Sequence, residues 1–166
     1  MVKSTENRLL FRFVALFSCF IVAAHAVIFL LQTTQFLEVL NYLTASMTGA
    51  AMNLFGAAVI QNNEVLSWGN FSLKVITECT GLFLFIVYLG AVLSYPTSWK
   101  NKGIGLLGLP LLILLNLSRL VVLMIIGRYY YYSFDFVHRY LWQTTFIIMV
   151  IALWIIWIEL VTHIER

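Results

Sequence analysis

Charge is scarce in this chain: Lys, Arg, Asp and Glu together make up 10% of its 166 residues. A soluble domain carries about 25%. With 62% hydrophobic and 16% aromatic residues and a mean hydropathy of +0.94, the chain cannot cover itself with polar surface, so lipid must be its solvent. The formal charge of +3 is small and spread along the sequence, which excludes a nucleic-acid partner. Two cysteines, Cys19 and Cys79, do not make a disulfide framework, and the lack of a CxxC argues against a thiol oxidoreductase. No metal-ligand cluster and no phosphate-cradling glycine loop occurs, so neither metal nor cofactor is expected. A serine site of the Gly-x-Ser-x-Gly kind is absent. So is the internal repeat that a transporter fold would carry.

Long apolar runs are what the chain does have. Residues 9–31 are long enough to cross a hydrocarbon core of about 30 Å. Lys3, Arg8 and Arg12 precede or open this run. Its length, and its bulky end at Phe29, Leu30 and Leu31, distinguish it from a cleaved signal peptide. Further runs cover 80–95, 104–128 and 138–160. Between the first two of these lies a short loop with Lys100 and Lys102, which belongs on the cytoplasmic side. The tail 159–166 has mixed charge and decides little.

Residues 33–59 are apolar but interrupted. Phe36, Leu37, Leu40, Leu43, Met47, Ala50, Ala51, Leu54 and Phe55 recur at helical spacing, which predicts an amphipathic helix on the outer surface or against the bundle. An extra span is the alternative. Residues 59–77, broken by QNNE and WGN, read as a short β-hairpin-like excursion. The sequon at Asn70 is given no role.

Parity favours four spans. With the N-terminus inside, the first span exits, the outer segment 32–79 follows, and the second returns to place Lys100 and Lys102 inside. The third then exits and the fourth re-enters. A fifth span at 33–59 would put the two basic clusters on opposite sides. The expected fold is therefore an all-α polytopic membrane helix bundle of about four transmembrane helices, with an extracytoplasmic amphipathic helix and a short β excursion. Residues 1–166 form a single membrane domain of the cytoplasmic (inner) membrane.

Ionisable groups inside a membrane cost several kcal/mol and need a reason. Arg119 lies about 13 Å below Arg128 and the tyrosines at 129–132, which resemble an interfacial aromatic belt. Asn116 is one turn earlier on the same face. Cys79 opens the second span beside Glu78; helix starts and nearby cations favour the reactive thiolate form of a cysteine. His138 opens the fourth span, and imidazole exchanges protons near neutral pH. The topology brings Cys79, Arg119 and His138 to one depth at the outer face. Each also has a plainer reading: a small core residue, a structural partner for Glu78, an interfacial histidine. Cys19 and His25, mid-span in the first helix, are taken as structural.

Three ordered segments carry a resemblance. Glu78-Cys79-Thr80-Gly81-Leu82 is similar to the Cys-[Ser/Thr/Ala]-Gly segment of the exosortase/archaeosortase family of membrane transpeptidases. Asn116-Leu117-Ser118-Arg119 is similar to its N-x-x-R, and Phe136-Val137-His138 to the segment with its histidine. The polar excursion before Cys79 and the Pro110 region fit too, so the resemblance covers about 36–160. Many members carry additional N-terminal spans, beside which this chain resembles a compact form.

The resemblance implies a membrane cysteine protease/transpeptidase acting on C-terminal sorting signals of secreted proteins: a motif, a transmembrane helix and a basic tail. Cys79 would form a thioester, Arg119 would stabilise the oxyanion, and His138 would move the protons. Asn116 would orient Arg119 and Glu78 would tune the site. The acceptor nucleophile stays open. The alternative is a non-catalytic assembly or helper subunit with a structural Arg119–Glu78 pair.

Overall fold

The structure, a computed structural model, describes residues 2–32 and 34–164, with the side chains of 7–32, 34–141 and 144–163. The Lys3 side chain, Thr33 and the tail's last two residues, all within segments interpreted above, lie outside them.

The first apolar run forms α1 (Val2–Leu31) and the interrupted one α2 (Phe36–Leu54). Three strands follow: β1 (Ile60–Asn62), β2 (Val65–Trp68) and β3 (Phe71–Lys74). A 3-10 turn over Thr77–Thr80 leads into α3 (Leu82–Ser94), then α4 (Trp99–Leu106) and α5 (Gly108–Tyr129). The chain ends in α6 (Tyr131–Phe136), a π turn (Val137–Leu141) and α7 (Trp142–Ile164). This is a helical membrane bundle with a small sheet at one end.

Three stretches among the described residues are helical, long and apolar enough to cross a membrane: Asn7–Leu31, Trp99–Tyr129 and Tyr131–His163. The fourth expected span, 80–95, is different. Its helix α3 has only 13 residues, about 20 Å at 1.5 Å per residue, short of the ~30 Å core. Lipid would not tolerate an early helix end, but a protein surround does. Helix α3 has that surround, with α1, α4, α5 and α7 packed on it and α2 packed on the turn at its head.

Ring contacts fix how deep that head sits. Phe13 meets Tyr95 edge-on at 6.3 Å and His25 meets Phe83 at 5.5 Å. Between them, a side chain at Gly90 would collide with Phe20. Helices α1 and α3 thus run antiparallel in one continuous register, in which Leu82 is level with Ala26. Helix α1 continues five residues further to Leu31, so the head of α3 is recessed by about 8 Å.

Helix α2 turns most of its apolar stripe outward: Phe36, Leu43, Met47, Leu54 and Phe55 are exposed, whereas Leu37 of the same stripe is buried together with Asn41, Thr44, Ala45, Thr48, Gly49 and Met52. Where the solvent is apolar, large apolar residues gain nothing by facing protein, and small residues permit close backbone approach. The Thr44 and Thr48 hydroxyls donate to the carbonyls of Leu40 and Thr44 (2.9 and 2.8 Å), which satisfies their polarity within the helix. Helix α2 is not among the three stretches suited to span.

The expected hairpin is a three-stranded antiparallel meander, with Asn62 opposite Val65 and Trp68 opposite Phe71. Leu66, Phe71 and Leu73 point inward and join Ala45, Met52, Leu120, Leu123 and Met124 in one core. A second core lies among α3, α5 and α7, around Tyr88, Leu112, Phe146, Val150 and Trp157. Polar groups within the bundle meet backbone acceptors. The Tyr88 hydroxyl donates to the Gly105 carbonyl at 2.8 Å, Trp157 Nε1 to that of Asn101 at 3.0 Å, and Lys102 Nζ to that of Leu93 at 2.6 Å.

The parity argument can be tested directly. In a Cys19→Ala background, a membrane-impermeant thiol reagent should label Asn62→Cys only from outside the cell and Lys100→Cys only from inside. Labelling of both from one side would overturn the assignment.

Candidate active site

Cys79 lies in the 3-10 turn at the recessed head of α3, and its side chain is 3% exposed. The turn is closed from within. The Cys79 N–H donates to the Ile76 carbonyl at 2.8 Å, and the Thr80 hydroxyl donates to the Thr77 carbonyl at 2.7 Å. That hydroxyl also accepts from the Leu82 N–H at 3.2 Å, stitching the turn to α3. Serine would supply the same hydroxyl, so Thr80 preserves the chemistry of the segment. Gly81 turns the chain into the helix with φ 76°, a left-handed conformation in which a side chain is strained. A Cβ there would also come within 3.2 Å of both Asn116 and Phe146.

Helix α5 brings Asn116 and Arg119 to this turn, both buried. The Asn116 amide does not hold Arg119, as expected from the sequence; it reaches the cysteine's own backbone. Its Nδ2 donates to the carbonyls of Cys79 (3.1 Å) and Thr80 (3.0 Å). These two carbonyls precede the first turn of α3, and the Asn116 amide satisfies them where water is scarce.

The Arg119 guanidinium lies near the Cys79 thiol, and both line one cavity. On its other side it meets the ring of Phe146, with 5.6 Å from the guanidinium carbon to the ring centre. Arg119 Nε has no partner. Glu78 is exposed, and among the described residues it forms no ion pair with Arg119. The structural Arg–Glu pair of the alternative reading is therefore missing.

His138 is half-buried and stacks on Phe134 with ring centres 5.6 Å apart and planes 7° from parallel. It is not at the start of the last apolar helix, because helix begins at Tyr131, two turns earlier. Instead it sits in the π turn, a local widening that often marks functional sites. Arg119 is near enough for His138 to feel its charge. A cavity of about 590 Å³ is bounded by Cys79, Arg119, His138 and Glu78 together. Its remaining wall is largely apolar, from Phe83, Leu84, Val87 and Ile147.

Two residues of this site were not anticipated. Arg139 lines the cavity and pairs with Asp135 at 2.9 Å. Phe146 lies eight residues past His138 on the helix that continues from it, and nothing in the sequence sets it apart from its apolar neighbours. Cys19 is exposed on α1 and His25 meets Phe83, and neither lines the cavity. No group of three or more His, Cys, Asp or Glu among the described residues could hold a metal.

A bundle of apolar helices that holds a cysteine, an arginine and a histidine around one cavity at a recessed helix head defines a membrane-embedded class of site. A profile of the transmembrane exosortases matches residues 7–158, and the chain belongs to that family. Membership makes it in general a membrane sorting transpeptidase. No curated protein and no solved structure matches the chain.

Replacing Asn116 with leucine of similar size removes both bonds to the turn. Each buried carbonyl left without a donor costs about 1–3 kcal/mol, so Asn116→Leu should lower the thermal midpoint in detergent by several degrees. An unchanged midpoint would show that this amide does not hold the turn.

Proposed function

We propose that the chain is a cysteine transpeptidase of the cytoplasmic membrane. It cleaves C-terminal sorting signals of secreted proteins on the extracytoplasmic side and passes the freed acyl group to an acceptor nucleophile. The observation that carries this reading is the Arg119 guanidinium set against the buried Cys79 thiol, with His138 on the same cavity.

The steps follow from the residues. His138 takes the thiol proton and the sulfur of Cys79 attacks the substrate carbonyl carbon. The carbonyl electron pair moves onto oxygen, beside the Arg119 guanidinium. A fixed cation in a site shielded from water is worth most at that moment, because nothing must reorganise as charge develops. The tetrahedral centre collapses to a thioester, and His138 gives its proton to the departing amine. The acceptor's nucleophile then attacks the thioester and loses its proton to His138. Collapse expels the sulfur, which regains a proton from the imidazolium. Asn116 serves by holding the turn that carries the sulfur. Glu78, exposed at the cavity edge, adds a negative charge at its mouth.

Two experiments test the reading, both by pulse-chase of a tagged sorting-signal substrate with membrane abundance measured alongside. Cys79→Ala should accumulate normally and process nothing, whereas Cys19→Ala should process as wild type. Processing by the Cys79→Ala protein would leave the helper role instead. Arg119→Lys keeps a charge but loses the planar fork. Loss of one oxyanion donor costs on the order of 10²–10³ in rate, so processing should slow at least about a hundredfold at normal abundance. Restoration of an inactive Arg119→Ala protein by adding Glu78→Ala would defeat the catalytic role of Arg119.

A further inference from the structure

The side chain of Arg119 has few polar restraints. Its interaction with Cys79 is the one its chemistry needs. Nε is buried without a partner, Glu78 is not paired with it, the Asn116 Nδ2 donates to the Cys79 and Thr80 carbonyls, and the Asn116 Oδ1 forms no hydrogen bond with it. An arginine side chain with four rotatable bonds and so few anchors does not keep its plane by hydrogen bonding alone.

The ring of Phe146 supplies the missing surface. It is 2% exposed and fixed in the core with Tyr88, Leu112 and Val150. The Arg119 guanidinium lies over it at 5.6 Å, an arrangement in which the ring's negative face attracts the cation, more strongly as water is excluded. The ring's edge packs against Gly81, leaving no room for a side chain there. One apolar residue therefore touches both the cation and the turn that carries the sulfur, and it stands on the helix that continues from His138.

We propose that Phe146 is a positioning residue, whose ring sets the Arg119 guanidinium against Cys79 while bracing the turn at Gly81. The proposal rests on the reading that Cys79 and Arg119 are the reacting pair. A core residue with no such role would be replaceable by another apolar side chain of similar volume without change in how Arg119 meets the thiol. A platform would not be, because Leu and Met fill space but present no π face.

The test reads the Arg119–Cys79 relation without any substrate. In a Cys19→Ala protein in membranes, Cys79 is alkylated at one pH by iodoacetate and, separately, by neutral iodoacetamide. The ratio of the two rates cancels the thiol's own reactivity and reports the positive charge beside it. Arg119→Gln sets the value without that charge. Phe146→Leu and Phe146→Met retain Arg119, yet should lower the ratio at least about threefold, as expected when a unit charge moves a few Å from the reagent. Phe146→Tyr keeps the ring and should hold the wild-type ratio. Met is unbranched and adapts to irregular gaps, so it accumulates even where Leu does not. A wild-type ratio in the folded Leu or Met variant would overturn the proposal, as would an Arg119→Gln ratio equal to wild type. Substrate processing by Cys79→Ala decides the catalytic reading separately and leaves this ratio untouched.

Discussion

Two carbonyl groups, those of Cys79 and Thr80, set the constraint on which the site depends. Helix α3 starts part-way down the bundle, so the carbonyls of the turn before it lie where few water molecules can reach. An unsatisfied backbone group there costs several kcal/mol. One amide, that of Asn116, donates to both. This ties the cysteine-bearing turn to α5 at a single height and brings Arg119, one turn on, to the level of the sulfur. The N-x-x-R spacing thus has a mechanical meaning: the first residue fixes the turn and the last addresses the atom on it.

Burial then shapes what the arginine can do. A guanidinium enclosed by a thiol, an aromatic ring and helix backbone is not bathed in counter-ions, so its field at a nearby oxygen is little screened. The same enclosure makes an uncompensated charge expensive, and the structure offsets the cost with the ring of Phe146 rather than with a carboxylate. A carboxylate would have neutralised the field that oxyanion stabilisation uses. The apolar platform keeps the charge available.

Much of this was legible in the sequence, for identifiable reasons. The long apolar runs announced the spanning helices because lipid demands continuous hydrophobicity. Cys79, Arg119 and His138 stood out because polar groups in such runs are conspicuous. Helix α2 was found, but the sequence left open whether its apolar stripe faces outward or packs on the bundle; it is mostly exposed. Periodicity shows that one face differs from the other; it cannot say which faces protein when the solvent is itself apolar. Residues 80–95 read as a span by composition, and the αL turn at Gly81 that precedes the helix leaves α3 as Leu82–Ser94, too short to cross alone. The acceptors of the Asn116 amide nitrogen were not legible, because the Cys79 and Thr80 carbonyls come from elsewhere in the chain. Phe146 was hidden among other apolar residues, where composition carries no contrast.

The two cores of the bundle meet at this site. Cys79 belongs to the core built by α2, the sheet and α5, and Phe146 to the core built by α3, α5 and α7. Arg119 lies between them on α5, the helix common to both. Interiors packed at crystal-like density resist small displacements, and Cys79 and Phe146 are each held by a different set of neighbours. Their separation is fixed by α5 and by the close fit at Gly81 rather than by the side chains' own flexibility. Helix α1, by contrast, packs mainly on α3 and touches neither core's centre. It screens the flank of α3, where backbone polarity would otherwise meet lipid. The side chains around the cavity therefore come from α3 with the turn before it, from α5 and from the helix that leads into α7, while α1 flanks α3. That arrangement explains why the site can sit below the end of its flanking helix without exposing the turn to lipid.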